Sequence, residues 1–251
     1  MARATPSMTP ATPPAVHYVA LGDSYSSGVG AGGYTSASGS CDRTPSAFPQ
    51  LWANANAPAS FTFAACSGAT TQSVISGQLS ALSAGTTLVS VTAGGNDAGF
   101  SNVMETCVLG SQNSCLSTVS TAEKFVAGQL PARLDTMLAD IRDHAPSATI
   151  VVLGYPDLYD VHSGFCIGLS GADRNALNQG ANMLDAALAA AASASHDKFA
   201  DVRTQFSEHE ICDSGSWLHS VDIFDISSSY HPTAAGQQDG YLPAFERAAR
   251  S

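Results

Sequence analysis

The chain has 251 residues, 44% of them hydrophobic and 12% charged, with a formal net charge of -11 and ten lysines and arginines in all. That apolar content excludes a disordered chain and suffices for one α/β domain with a full core. With no basic cluster to neutralise several phosphates, nucleic acid is not an expected partner, and electrostatic docking on an anionic membrane is disfavoured.

In chain order, residues 1–15 hold four prolines and no apolar segment and read as a flexible tail, with 16–251 as one domain. Residues 16–21 form the continuous apolar run expected of a strand buried on both faces. The run ends in Gly22-Asp23-Ser24-Tyr25-Ser26-Ser27-Gly28, where small residues allow a hydroxyl to stand exposed as the strand turns. Ser24 is the candidate nucleophile there, and a serine hydroxyl needs a neighbouring base. Residues 28–41, rich in Gly and Ser, predict a long loop; 46–56 predict a helix entering after Pro45; 61–64 predict a second strand leading into Cys66-Ser67-Gly68-Ala69-Thr70. A helix is predicted over 71–82, then a third strand over 86–92 that runs into Ala93-Gly94-Gly95-Asn96-Asp97.

Leu130, Leu134, Met137, Leu138 and Ile141 recur at helical spacing and predict an amphipathic helix over 125–144, stopped by Pro146. A fourth strand, 149–153, ends at Gly154-Tyr155-Pro156. The alanine-rich 173–195 predicts a long helix, 199–202 a fifth strand, and 233–250 a closing helix that Pro243 kinks or interrupts. Strands alternating with helices predict a five-stranded parallel sheet between two helical layers, a flavodoxin-like sandwich. Sites in such sheets lie at the carboxyl ends of the strands, which places Ser24, Gly68, Asn96 and the Tyr155 loop along one edge.

The six cysteines, Cys41, Cys66, Cys107, Cys115, Cys166 and Cys212, contain no CxxC and have no histidine at zinc-ligand spacing. Three disulfides in an oxidising compartment are therefore expected rather than a metal site. Pairing in sequence, Cys41 with Cys66, Cys107 with Cys115 and Cys166 with Cys212, clips each loop within its own neighbourhood. No apolar run reaches the roughly 18 residues of a membrane span. A secreted, monomeric protein is expected.

Four blocks carry a resemblance. Gly22-Asp23-Ser24 resembles the opening block of the GDSL or SGNH hydrolases, Gly68 stands where that family has its glycine, Gly95-Asn96-Asp97 matches its asparagine block, and His231-Pro232 supplies the histidine near the carboxyl end. With the six cysteines and the small-residue bias, the chain is similar to the secreted actinobacterial lipases and phospholipases of that family. The resemblance implies an SGNH hydrolase fold and a lipid ester as substrate, with no metal or organic cofactor. It implies Ser24 as nucleophile, His231 as base, and an oxyanion hole formed by the N–H groups of Ser24 and Gly68 and the side-chain amide of Asn96. Neutral convergent donors of that kind stabilise a developing oxyanion without themselves ionising.

One position departs from the family. An aspartate usually stands three residues before the histidine; here that position is Ser228, and Asp225 lies six before. The Nδ1 proton of His231 still needs an acceptor to fix the tautomer, and a main-chain carbonyl within 227–229 is expected to supply it, that of Ser229 being favoured. Asp225 is the alternative.

Each element also has a plainer reading. Ser24 can be only a helix cap, the Gly94-Gly95-Asn96 stretch only a turn, and Asp23 and Asp97 only supports for the backbone around the site. His17, His144, His162, His196, His209 and His219 lack matching context and read as surface or structural residues. Gly28-Val29-Gly30-Ala31-Gly32-Gly33 fits GxGxxG, but it begins well past the strand and no helix follows to seat a pyrophosphate, so no dinucleotide is expected. Ser26 replaces the second glycine of GxSxG, which argues against an α/β-hydrolase elbow. Glu208-His209-Glu210 reads as a solvated loop. Phe100, Val103, Met104, Val108 and Leu109 either line an acyl-chain groove or pack beneath a Cys107 to Cys115 loop. Two other functions stay open: a carbohydrate or aryl esterase removing small acyl groups, and a disulfide-stapled binding module without catalysis.

Overall fold

The structure, a computed structural model, describes residues 15–162, 166, 168–222 and 226–251. Of the expected tail 1–15, all but Ala15 lies outside the described residues, as does Asp225.

Five strands, β1 (His17–Gly22), β2 (Ser60–Phe63), β3 (Leu88–Thr92), β4 (Thr149–Leu153) and β5 (Lys198–Ala200), form one parallel sheet in the order β2-β1-β3-β4-β5. This is the expected flavodoxin-like architecture, with strand ends shifted by one or two residues. Every residue of β3 is buried, which is why that strand reads as an unbroken apolar and small-residue run.

On one face of the sheet, Tyr18 of β1 packs edge-on against Trp52 of α2 (Phe48–Asn56) and stacks on Phe245 of α9 (Leu242–Arg250), with ring centroids 5.1 and 5.5 Å apart. The other layer holds α3 (Thr71–Gly77), α6 (Leu130–His144) and α7 (Gly171–Ala194). Leu130, Leu134, Met137, Leu138 and Ile141 of α6 are all buried, the stripe that its periodicity announces. Among the described residues no helix is long and apolar enough to cross a membrane.

Three helical expectations are corrected. The helix expected over 125–144 is two: α5 (Gln112–Gly128) ends at Gln129, and Pro131 opens α6 in the first turn, where its missing N–H leaves no bond unmade. The stretch 100–124, given no helix from sequence, forms α4 (Phe100–Leu109) and most of α5. Serines and threonines give α5 little intrinsic propensity; packing on α7, the Cys107–Cys115 disulfide and a Ser111–Ser114 capping box hold it instead. The closing helix begins with a π-helical turn, Gly236–Tyr241, just before Pro243, which cannot donate the next regular bond.

The α7 helix, 24 residues and so roughly 36 Å long, outreaches the five-residue strand it follows. Its N-terminus is tied to that of α5 by Gln112 Nε2 donating to Ser170 Oγ at 2.7 Å. Helices α4, α5 and α7 thus stand together as an apolar wall.

Candidate active site

In a sheet of order 2-1-3-4-5 the chain leaves β1 and β3 in opposite directions, opening a crevice between their carboxyl ends. Ser24 follows β1 there, and Asn96 follows β3. Ser24 is the first residue of α1 (Ser24–Ser27), a single turn capped by Asp23, whose Oδ1 accepts from Tyr25 N at 3.0 Å. Because the cap takes the Tyr25 N–H, the Ser24 N–H is left over, and among the described residues it donates to no protein group.

His231 comes from the far end of the chain. Its Nε2 lies 2.8 Å from Ser24 Oγ and its Nδ1 lies 3.0 Å from the main-chain oxygen of Ser229. A carbonyl only accepts, so the proton is on Nδ1 and Nε2 accepts from the serine hydroxyl, the tautomer in which imidazole is a base toward Ser24. Tyr230, between those two residues, adopts the left-handed backbone at φ +64, which turns the Ser229 carbonyl back toward the ring. Asp225 lies outside the described residues, and no distance from it enters the geometry.

Several contacts hold this loop. Tyr25 Oη donates to Tyr230 O at 2.6 Å, and the Tyr25 and His231 rings lie 5.2 Å apart. His219 N donates to His231 O at 3.0 Å, and His219 Nε2 donates to Gly30 O at 2.7 Å. A Cβ on Gly30 would stand 2.7 Å from Pro232 O and 2.9 Å from His231 Cβ, so the glycine permits the approach of its loop to the histidine segment. The GxGxxG stretch thus serves that contact, and it is followed by a 3₁₀ turn, Ser36–Cys41, rather than an α-helix. Sequence reasoning did not single out Tyr25; its only signal was adjacency to Ser24.

Asn96 Nδ2 donates to Ala69 O at 2.9 Å, tying the β3 turn to the loop that bears Gly68; an amide carries a second hydrogen, so this anchor does not exhaust it. Asp97 completes the tie, accepting from Thr71 N at 2.8 Å and Thr71 Oγ1 at 2.7 Å. Gly68 adopts φ +75 with open space where a side chain would stand, and its N–H donates to no protein group among the described residues. The Gly68 loop is fastened behind by Cys66 N on Gly22 O at 2.9 Å and by the Cys41–Cys66 disulfide. The other bridges join Cys107 to Cys115 and Cys166 to Cys212.

Behind Ser24 lies a buried polar knot. Asp23 Oδ1 also accepts from Thr92 Oγ1 at 2.6 Å, and Oδ2 accepts from Tyr155 Oη at 2.5 Å. Burial pushes the Asp23 carboxyl up to about 6, against the three donors that hold it down. Burial likewise pushes the Tyr155 phenol well above its ordinary range, so it remains a donor.

From Ser24 and Asn96 an apolar cleft runs between Phe100, Val103 and Met104 of α4, Val119, Ala122 and Val126 of α5, and Leu177, Gly180 and Leu184 of α7. Val108 and Leu109 are not in its wall, and Leu109 is 77% exposed. Phe100, Val103 and Met104 therefore line the cleft, Val108 packs against the core, and Leu109 does neither. Outside the site, the His209 ring stacks on Trp217 at 3.7 Å.

A serine hydroxyl within hydrogen-bond reach of an imidazole, in the crevice of a flavodoxin-like sheet and beside an apolar cleft, is an arrangement suited to ester hydrolysis. Residues 20–238 match the GDSL-like Lipase/Acylhydrolase family. The chain belongs to that family and is a carboxylic ester hydrolase. It is 55% identical to Lipase 1 of Streptomyces coelicolor over 232 residues, 92% of this chain and 86% of that protein. The crystal structure of phospholipase A1 from Streptomyces albidoflavus superposes with a TM-score of 0.92 at 52% identity, covering 94% of this chain and all of that one. The extracellular lipase of Streptomyces rimosus superposes with a TM-score of 0.91 at 48% identity, covering 93% of this chain and all of that one.

Proposed function

We propose that this protein is a secreted, monomeric lipase or phospholipase that cleaves acyl esters through an acyl-enzyme at Ser24. The observation that carries the reading is the 2.8 Å contact between Ser24 Oγ and His231 Nε2 at the mouth of an apolar cleft. Ser24 Oγ attacks the ester carbonyl carbon while its proton passes to His231 Nε2. The carbonyl oxygen becomes an oxyanion held by the Ser24 and Gly68 N–H groups and the Asn96 amide. Collapse breaks the acyl–oxygen bond, and the leaving alkoxide takes the proton from Nε2. Water then attacks the acyl-enzyme and gives Nε2 a proton, which returns to Ser24 Oγ as the fatty acid departs. The Ser229 carbonyl accepts the Nδ1 hydrogen and holds the imidazolium in place.

The cleft holds the acyl chain, since its α5 and α7 walls, Val119 to Val126 and Leu177 to Leu184, are apolar or glycine apart from Glu123. Relatives that are lipases and a phospholipase A1 support lipid esters as the class, and an extracellular relative together with three disulfides supports secretion. The test is a panel of triacylglycerols, phospholipids and p-nitrophenyl esters of graded chain length, with Ser24→Ala as the blank. Loss of turnover and of fluorophosphonate labelling in Ser24→Ala supports the nucleophile; preference for acetyl over medium and long chains overturns the lipid assignment.

A further inference from the structure

We propose that Tyr155 is a positioning residue for the hydrolysis, its hydroxyl locking the turn that carries Asn96 to the turn that carries Ser24. The inference rests on the reading of Ser24 as nucleophile and Asn96 as oxyanion donor. It concerns what keeps them in register, because the two turns follow different strands and share no covalent neighbour.

Tyr155 stands just beyond β4, one strand further along the sheet. Its Oη donates to Asp23 Oδ2 at 2.5 Å, one residue before Ser24, and accepts from Gly95 N at 3.4 Å, one residue before Asn96. The Gly95 position lies beside the same ring: a Cβ there would stand in ordinary contact, 3.5 Å from both Tyr155 Cζ and Oη. Tyr155 is itself fixed from two sides, by its N–H donating to Asp185 Oδ1 at 2.8 Å and by the Tyr25 ring packed edge-on at 5.0 Å. Tyr155 is 6% exposed, and burial keeps the proton on its phenol. A hydroxyl donating to one turn and accepting from the other fixes their separation. An oxyanion hole depends on that separation, since its donors act only when already aimed at the position the charged oxygen will occupy.

The experiment compares wild type, Tyr155→Phe and Thr92→Val, each counted by complete fluorophosphonate titration so that turnover is stated per competent site. Thr92→Val removes the other hydroxyl on Asp23 without touching the 95–96 turn. In Tyr155→Phe, kcat per titrated site is expected to fall about ten- to thirty-fold with KM within about two-fold, less than outright loss of an oxyanion donor. The Ki of an alkyl boronic acid, whose tetrahedral adduct places an oxygen in the hole, is expected to rise by the same factor. Thr92→Val is expected to move that Ki by less than about three-fold. The proposal is overturned by kcat per site within two-fold of wild type, by an unmoved boronate Ki, or by a Thr92→Val variant that matches Tyr155→Phe. Failure of the underlying reading shows separately, as retained turnover in Ser24→Ala.

Discussion

The hydroxyl of Tyr25 donates a 2.6 Å hydrogen bond to the main-chain oxygen of Tyr230, so the residue after the candidate nucleophile grips the residue before the candidate base across 205 positions of chain. Both ends of the bond are buried. Tyr25→Phe leaves the Tyr230 carbonyl without that donor, and a loss of about 1–3 kcal/mol in urea unfolding is expected. As the histidine segment loosens, kcat should fall several-fold. A variant as stable and as active as wild type would show the bond to be incidental.

The left-handed backbone at Tyr230, φ +64, supports the carbonyl on which His231 Nδ1 rests. Alanine and glycine substitutions both discard the ring, but only alanine retains a Cβ in that conformation. Tyr230→Gly should therefore unfold at higher urea than Tyr230→Ala by about 1 kcal/mol. Equal stabilities would mean that the segment relaxes to negative φ in the variants.

Two buried carboxyls give the fold a pH dependence of defined sign. Burial pushes Asp185 up to about 8, against the Tyr155 N–H and the Arg203 guanidinium, and pushes Asp23 up to about 6. An unfolded chain releases these protons near pH 4. From about pH 4 to 6 the folded state thus binds more protons than the unfolded one at both positions, and from about 6 to 8 at Asp185 alone. Stability should fall as pH rises through both windows. Urea midpoints between pH 5 and 8 test this, and Asp185→Asn should flatten the upper half; an unchanged slope above pH 6 would remove Asp185 as its cause.

Gly180 of α7 lines the apolar cleft, and a Cβ there would meet Val119 Cγ1 of α5 at 3.8 Å. A large side chain must project into the space between the helices. Gly180→Leu should lower the ratio of kcat/KM for p-nitrophenyl decanoate over butyrate about ten-fold, the scale of one or two misplaced methylenes. An unchanged ratio would place the acyl chain elsewhere.

The five strands and the helices α2, α3, α6 and α7 were legible in the sequence, because strands such as 149–153 and helices such as α6 declare themselves through local apolar pattern. The sequence also placed Ser24, Gly68, Asn96 and the Tyr155 loop along one edge, since the strands of a parallel sheet all end on the same side. It did not disclose α4 and most of α5, whose serine-rich surface is held helical by packing on α7 and by a disulfide, so the depth of the cleft stayed hidden. It pointed to the Ser229 carbonyl as the acceptor beside His231, 3.0 Å from Nδ1, but could not disclose that Tyr25 holds Tyr230 or that Tyr155 spans two turns. Those contacts join residues by the directions of single side chains and one positive φ. Such directions are set by close packing among segments far apart in the chain, which local pattern does not encode.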